Sequence, residues 1–155
     1  MSAPKMNRVV ADFRADATRN KTIRLKDLRG QNVILYFYPK DSTPGCTTEG
    51  RDFAELHTKF RRRKTVILGV SRDSIASHEK FRAKQDFPFD LISDPDEKLC
   101  KAFDVIHEKT LYGRKFMGVV RSTFLIDADG KLRKEWRSVK VKGHAEAVLE
   151  AVKAL

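Results

Sequence analysis

Residues Val33–Tyr38 (VILYFY), Pro39–Gly45 (PKDSTPG) and Cys46 follow one another directly, and this stretch decides how the chain folds. The first run is continuously apolar and β-prone, which is typical of a strand covered on both faces. The second run is rich in turn residues, which end the strand. Apolar residues recur at helical spacing beyond Cys46, so we predict one helix that begins near Pro44 or Cys46 and ends at about Arg62.

A strand, a helix and a hairpin are predicted further along the chain. Thr65–Val70 indicates a second buried strand. Ser74 has the residue type of an N-cap, and the helix after it would carry three residues on one side: Ile75, His78 and Phe81. Asp127–Gly130 (DADG) is a hairpin signal between two predicted strands, Ser122–Ile126 and Leu132–Trp136.

Two more helices are predicted. Asp94–Glu97 (DPDE) indicates a helix start, with the first aspartate as cap, the proline at the first helical position and the glutamate reaching back. The buried face of this helix would comprise Leu99, Ala102 and Phe103, with Cys100 beside it. After Gly143, the chain predicts a helix up to Leu155 with one apolar stripe: Ala145, Val148, Leu149, Val152 and Leu155.

The order of these elements favours an α/β fold with a central mixed sheet and helices on both faces. A thioredoxin-like architecture has this order, and so do other small α/β folds. The chain has 155 residues without repeats or linkers, so we expect a single domain over residues 1–155.

Composition and charge exclude several classes of protein. The apolar run Val33–Tyr38 is far shorter than the roughly 20 residues of a membrane span, so no membrane association is expected. Charged residues interrupt the first thirty positions, which gives no signal-peptide core and predicts a cytoplasmic protein. The formal net charge is +11, but the basic residues are spread along the chain rather than gathered on one face, which favours a solvated surface over specific nucleic-acid binding.

The chain contains two cysteines, Cys46 and Cys100. A structural disulfide is not expected in a reducing compartment. Four scattered histidines and two distant cysteines give no metal-ligand spacing, so no metal and no cofactor are predicted. The two cysteines are therefore either packing residues or redox-active groups.

The surroundings of Cys46 favour a reactive thiol. It follows a buried strand by a turn and opens a helix, where unpaired backbone N–H groups stabilise a thiolate. The hydroxyl of Thr43 lies within reach of the sulfur. Pro39 and Pro44 stiffen the connection, so that a nucleophile could be held in fixed geometry.

Residues Pro39–Cys46 contain the pattern Pro-x-x-x-Thr-x-x-Cys, which resembles the active-site signature of peroxiredoxins. The surrounding sequence is similar to the subfamily called PrxQ or bacterioferritin comigratory protein. That similarity extends from about Ala11 to Leu155 and includes four further stretches: Val70–Ser74, Pro88–Asp94, Tyr112–Gly118 and Arg121–Asp127.

The resemblance implies a role for each matching residue. Cys46 corresponds to the peroxidatic cysteine and Thr43 to the threonine that orients the peroxide. Pro39 corresponds to the proline that shields the thiolate, and Gly45 lies in the same peroxide-binding loop. Arg121 corresponds to the distant arginine that folds back over the cysteine. Finally, Glu49 stands where a helix carboxylate often positions that arginine.

The resemblance also implies the activity, that of an antioxidant thiol peroxidase without a cofactor. The thiolate of Cys46 would attack hydrogen peroxide or an organic hydroperoxide and become a sulfenic acid. Arg121, Thr43 and backbone N–H groups would meet the charge that develops on the leaving oxygen. Thioredoxin, glutaredoxin or a small thiol would then restore the cysteine, and the subfamily leads us to expect a monomer.

One departure concerns the resolving cysteine. Many relatives carry it on the same helix as the first cysteine, at the position of Arg51. The remaining candidate is Cys100, and a disulfide would require its Cα to lie within about 7 Å of that of Cys46. We therefore favour a one-cysteine mechanism with an external thiol, with a two-cysteine mechanism through Cys100 as the alternative.

Two other functions are weaker. A thiol–disulfide oxidoreductase normally needs Cys-x-x-Cys, and Glu49 occupies the second position of that pattern. A nucleic-acid-binding protein would use the positive charge, would lose affinity steeply with salt, and would not depend on Cys46. The charge could also attract acidic reductant proteins.

Overall fold

The computed structural model describes residues 3–155, which form nine strands and five α-helices. The strands are β1 Arg14–Ala17, β2 Lys21–Arg24, β3 Asn32–Phe37, β4 Thr65–Ser71, β5 Asp90–Ser93, β6 Ile106–Leu111, β7 Arg114–Val119, β8 Ser122–Ile126 and β9 Leu132–Trp136. The helices are α1 Pro44–Glu55, α2 His57–Arg62, α3 Ile75–Gln85, α4 Lys98–Ala102 and α5 His144–Lys153, and a short 3-10 helix lies at Leu25–Leu28. Within the described residues, no helix has the length and apolarity that a bilayer crossing requires.

Seven strands form one mixed sheet in the order β2-β1-β5-β4-β3-β8-β9. The central strand β3 runs parallel to β4 and antiparallel to β8. The remaining strands, β6 and β7, pair antiparallel with each other outside this sheet, and we call Ile106–Val119 the β6–β7 ribbon.

Both faces of the sheet are covered. Alternate residues along β3 and the residue after it point to opposite sides of the sheet, and each set packs against helices. One side packs against α1, α2, α3 and α5 through Ile34, Tyr36 and Tyr38. The other side packs against α4 through Val33, Leu35 and Phe37. The predicted α/β architecture, a mixed sheet with helices on both faces, is confirmed.

Three local predictions are also confirmed. Thr65–Ser71 is a buried strand of the sheet. The Ser74 hydroxyl oxygen accepts a hydrogen bond from the Ser77 N–H at 3.1 Å and caps α3. The residues that flank Asp127–Gly130 form the antiparallel pair β8–β9.

The helix predicted from Cys46 to Arg62 is two helices, so the prediction of one continuous helix is wrong. Leu56 has φ −95° and ψ 3°, its N–H bonds to the Phe53 carbonyl three residues back, and α2 begins at the next residue. Phe53 and Phe60 lie on either side of the bend in the same part of the core, with their ring centroids 6.0 Å apart. Packing of both aromatic rings therefore accompanies the break in a sequence that is periodic throughout.

The helix predicted to start at Asp94 starts instead at Lys98. The Asp94 carboxylate does cap it, because it accepts hydrogen bonds from the N–H groups of Leu99 at 3.0 Å and Cys100 at 2.8 Å. Glu97 lies in the left-handed region with φ 62°, and its carboxylate pairs with Arg72 rather than reaching back. The segment between the cap and α4 is thus a turn outside the helix.

Three side chains differ from the predicted helix faces. Cys100 is fully buried, so it belongs to the buried face of α4 rather than lying beside it, whereas Ala102 is only partly buried. Leu155 lies beyond the end of α5 and is exposed, because the helix stops at Lys153 and the last apolar residue of the stripe has no core to enter.

His144 provides a test of the packing of α5. Its Nε2 lies 2.8 Å from the Thr123 hydroxyl, and burial, with a further contribution from the Arg121 charge, lowers the pKa of His144 to about 4. The unfolded histidine takes up a proton near its ordinary value of 6.5, so the unfolded state binds more protons between pH 6.5 and 4. We expect the free energy of unfolding to fall over this window as the pH decreases, by up to about 3 kcal/mol from this residue.

The check is urea denaturation of the wild type and of His144→Gln at a series of pH values. Glutamine can still bond to Thr123 but does not titrate, so its stability should decrease less between pH 6.5 and 4. The same decrease in both proteins would contradict the assignment.

Candidate active site

The topology of the sheet brings together the two chain segments that carry Cys46 and Arg121. Because β3 and β4 are parallel, the loops that follow them leave the sheet at the same edge. Because β8 is antiparallel to β3, with Ser122 opposite Phe37, the residue before β8 lies at that edge too. That residue is Arg121, and the loop after β3 leads to Cys46.

Cys46 lies in the first turn of α1, after Thr43 at the N-cap and Pro44 at the first helical position. Its side chain is buried, and the whole residue is 2% exposed. Arg121 Nη2 donates a hydrogen bond to the Cys46 sulfur at a distance of 3.4 Å. The guanidinium and the unpaired N–H groups of the helix start both stabilise the thiolate, which is the nucleophilic form.

Arg121 also bonds to Glu49, one turn further along α1. The Nη1–Oε1 distance is 2.6 Å, and Glu49 is 1% exposed. Burial raises the pKa of Glu49 to about 7, although the Arg121 charge opposes that rise. A single guanidinium is therefore held between a buried carboxyl group and the sulfur, in a geometry that the fork of arginine permits and a lysine ammonium would not.

The other residues predicted for the site line the same loop. Thr43 is half-buried, and its hydroxyl donates to the Lys40 carbonyl at 2.9 Å, which leaves the oxygen free to accept a hydrogen bond. A Cβ on Gly45 would lie 3.1 Å from Arg121 Nη2, so glycine leaves the space that the guanidinium occupies. Pro39 is half-buried where the loop leaves β3.

A buried hydrogen-bond network under this loop was not predicted. Asp41 accepts hydrogen bonds from the Tyr38 hydroxyl at 2.7 Å and the Ser77 hydroxyl at 2.8 Å, and its Oδ2 lies 2.7 Å from His78 Nδ1. Its own N–H donates to Asp73. The sequence signal was present, since Asp41 lies within the motif and His78 on the buried side of α3, but their contact depends on tertiary structure.

The network fixes an unusual backbone. Ser42, between Asp41 and Thr43, has φ 63°, a left-handed conformation that costs a residue with a side chain free energy. Hydrogen bonds from Tyr38, just after β3, and from Ser77 of α3 hold Asp41 on one side of it. The position of Thr43, and through it the start of α1, thus depends on a buried carboxylate.

Asp41, Asp73 and His78 have ligand atoms within 4.8 Å of one another, a spacing that a metal ion could bridge. Each of these side chains already has protein partners, however. The His78 Nε2 lies 2.8 Å from the Ile92 carbonyl, and Asp73 accepts from the Ser71 hydroxyl. The arrangement is that of a structural hydrogen-bond network.

Cys100 is not part of this site. It packs with Phe103 on the side of the sheet that Val33, Leu35 and Phe37 face, whereas Cys46 packs on the opposite side. Burial, with a further contribution from Asp94, raises the pKa of the Cys100 thiol far above its ordinary value. In this structure the two cysteines are separated by the sheet, and Cys100 is held as a neutral thiol.

The β6–β7 ribbon borders the site, which the sequence did not predict. Lys109 is half-buried, and its pKa is lowered by burial and by the charges of Arg121 and Arg72, while Cys46 acts in the opposite direction. At the base of the ribbon, Arg72 donates to the Met117 carbonyl at 3.4 Å. Two cations, Arg121 and Lys109, therefore act on Cys46.

Comparison with known proteins gives consistent matches. A model of the AhpC/TSA family matches residues 6–135. Peroxiredoxin Bcp of Xanthomonas campestris is 58% identical over 125 residues, which are 81% of this chain and 78% of that protein. A solved PrxQ variant from Xylella fastidiosa is 45% identical, with a TM-score of 0.93 over 99% of this chain and 98% of the other.

A second solved structure concerns activity. It describes the alkyl peroxide reduction activity of the Xanthomonas campestris bacterioferritin comigratory protein from a trapped intermediate and ligand complex. That chain is 51% identical, with a TM-score of 0.88 over 92% of this chain and 90% of the other.

The Asp41 carboxylate holds the loop that leads to Cys46, and we predict that this keeps the Cys46 thiol from reacting with external reagents. In Asp41→Ala, the Tyr38, Ser77 and His78 side chains lose their shared partner, at a cost of roughly 1–3 kcal/mol for each buried group left unpaired. We expect Cys46 to react with iodoacetamide about tenfold faster or more, because the loop opens locally.

A matched control is Asp90→Asn. Asp90 is also a buried carboxylate, paired with Arg19 and Lys21, but it lies at the opposite end of the sheet. Its loss should destabilise the protein without a comparable change in Cys46 alkylation. Equal alkylation rates for Asp41→Ala and the wild type would show that the network does not hold the loop.

Proposed function

Since this chain belongs to the AhpC/TSA family, as a peroxiredoxin of the Bcp (PrxQ) group, we propose that Cys46 is the nucleophile with which it reduces peroxides. The chain is a thiol peroxidase, which consumes a peroxide and a thiol reductant. The observation that supports Cys46 is its contact with Arg121 at the start of α1, in a buried position at 3.4 Å.

The first step breaks the O–O bond of the peroxide. The Cys46 thiolate attacks the terminal oxygen, a sulfur–oxygen bond forms, and the other oxygen leaves with the electron pair of the broken bond. A proton taken up by that oxygen gives an alcohol, or water when the substrate is hydrogen peroxide. Cys46 is left as a sulfenic acid.

The protein contributes position and charge. Arg121 is held by Glu49 at 2.6 Å, so its guanidinium needs little rearrangement when negative charge develops on the leaving oxygen. The Thr43 hydroxyl already donates a hydrogen bond to the Lys40 carbonyl, so its oxygen can accept a hydrogen bond from the peroxide O–H. Attacking and attacked atoms are thereby aligned before the reaction.

We propose hydrogen peroxide and organic hydroperoxides as substrates. Support comes from the alkyl peroxide reduction activity described for the similar Xanthomonas protein. The proposal retains the sequence-based expectations of a monomer and of a cytoplasmic location, where reducing thiols are abundant.

For the second half of the cycle we propose a one-cysteine mechanism. An external thiol attacks the sulfenic acid, releases water and forms a mixed disulfide, and a second thiol then releases Cys46. The separation of Cys46 and Cys100 by the sheet supports this route, because an internal disulfide would require a large part of the core to rearrange.

Substitutions at Cys46 and Arg121 test the site. Cys46→Ser should abolish peroxide consumption while the far-ultraviolet circular dichroism stays unchanged. Arg121→Ala should slow the reaction of Cys46 with peroxide by about 10²–10³-fold, because a preorganised donor to the developing charge is lost. Arg121→Lys is the matched control that keeps the charge without the fork, and it should be intermediate.

The measurements are stopped-flow oxidation under single-turnover conditions and the ultraviolet absorbance of the thiolate. Substantial peroxidase activity of Cys46→Ser would remove Cys46 from its role. An unchanged oxidation rate and thiolate absorbance in Arg121→Ala would do the same for Arg121.

The fate of Cys100 separates the two mechanisms. After one equivalent of hydrogen peroxide, with a sulfenic-acid trap and no added thiol, we expect mass spectrometry to show the trap on Cys46 and a free thiol at Cys100. Cys100→Ser should turn over at the wild-type rate. A Cys46–Cys100 disulfide would instead establish a two-cysteine enzyme.

A further inference from the structure

Exposed apolar residues are concentrated on the β6–β7 ribbon. Among the described residues, seven large hydrophobic side chains are exposed, and four of them lie on this one ribbon: Leu111, Tyr112, Phe116 and Met117. Tyr112, at the tip, is 96% exposed. Surface apolar residues scattered singly are ordinary, whereas a concentration on one element indicates an interaction site.

The ribbon stands beside Cys46. Lys109 lies directly opposite Phe116 in the β6–β7 pairing, so both side chains share one face of the ribbon. At its base, β7 ends at Val119, two residues before Arg121, and the Arg121 guanidinium contacts the Cys46 sulfur at 3.4 Å. Met117 and Lys115 lie on the other face of the ribbon. A protein that grips the ribbon from its tip would therefore contact both faces and would lie beside the segment that carries Arg121.

The charges around the apolar residues are mostly positive. The ribbon carries Lys109, Arg114 and Lys115 against the single carboxylate of Glu108. A second copy of this chain, docked through the same surface about a two-fold axis, would bring these cations together. An acidic partner is complementary to the surface.

We propose that the β6–β7 ribbon is the docking surface for an acidic dithiol protein that reduces oxidised Cys46. The proposal rests on the proposed function, since it names the reductant of the same site. The first thiol of the partner attacks the Cys46 sulfenic acid, a sulfur–sulfur bond forms, and the hydroxyl leaves as water with the thiol proton. The second thiol of the partner then attacks its own sulfur in that bond, which releases reduced Cys46 and leaves a disulfide in the partner.

Docking on the ribbon explains how such a partner would meet a buried sulfur. Cys46 is 2% exposed, so a thiol on a bulky protein has to be held beside α1 while the first turn of that helix loosens. The apolar tip would supply contact area, and the cations would favour encounter at low ionic strength. A small thiol needs neither, so the two kinds of reductant should depend on the ribbon differently.

The test uses two variants of the ribbon that preserve its fold. Tyr112 has φ 52° and Gly113 φ 78°, so the turn is of the type that Asn-Gly favours, and Tyr112→Asn removes the exposed ring without strain. It is combined with Met117→Thr, a β-prone polar replacement. The second variant carries Arg114→Glu and Lys115→Glu.

The probes are a thioredoxin of net negative charge and the small thiol dithiothreitol. We expect kcat/KM for the thioredoxin to fall about tenfold or more in both variants, and its salt dependence to weaken in the charge-reversal variant. Reduction by dithiothreitol and single-turnover oxidation by peroxide should stay within about twofold of the wild type, because neither requires protein docking.

Matched controls change the same properties elsewhere. Leu155→Asn removes an exposed apolar residue that is not part of the ribbon. Arg62→Glu with Arg63→Glu gives the same change in net charge at the opposite end of the sheet, where the Arg63 carbonyl bonds to the start of β3. Both controls should be reduced by the thioredoxin as fast as the wild type.

Reduction of the ribbon variants by the thioredoxin at the wild-type rate would overturn the proposal. So would analytical ultracentrifugation that shows a wild-type dimer dissolved by the same substitutions, because the occupant would then be a second copy. Calorimetric titration of Cys46→Ser with the thioredoxin measures docking without peroxide chemistry. Loss of that binding in the ribbon variants supports docking even if Cys46 were not the peroxidatic residue.

Discussion

The register of β3 against its two neighbours is the constraint on which the site depends. Phe37 stands opposite Ser122 in the antiparallel pair and opposite Val70 in the parallel pair, so three chain segments reach one edge of the sheet together. A shift of one residue on β8 would turn Arg121 away from α1 and would exchange the apolar side chains that the strand buries on the two faces of the sheet. The burial that stabilises the sheet and the geometry that aligns the guanidinium with the sulfur are therefore set by the same pairing.

Prediction from the sequence succeeded where one local signal dominates. The continuous apolar run at Val33–Tyr38 gave β3, and Asp127–Gly130 gave the β8–β9 hairpin. The β6–β7 ribbon was not predicted, because apolar and polar residues do not alternate regularly along its strands. Most of its side chains are exposed, so there is no buried face to produce such a pattern. The start of α4 was placed too early because Asp94 caps it from a distance, through a turn that a capping-box pattern does not distinguish from a helix.

The same difference between local and long-range signals applies to the candidate site. Cys46 could be proposed as a reactive thiol from its neighbours, because the turn, the proline and the helix start are all local features. Arg121 was assigned through a family resemblance, since nothing in its own surroundings points to a residue so far away in the sequence. The contact between Asp41 and His78 joins a loop to a distant helix, and only the folded chain brings them within 2.7 Å. Long-range polar contacts of this kind leave no periodicity to detect.

The sheet separates the interior into two layers that share no side chains, with Cys46 in one and Cys100 in the other. The first turn of α1 can therefore open and close while the layer around Phe103 and Phe124 keeps its packing. Local unfolding around Cys46 therefore does not require unfolding of the whole protein. Adaptive change could then proceed along two separate routes, with substitutions in the Cys100 layer adjusting thermal tolerance and those beneath α1 adjusting turnover.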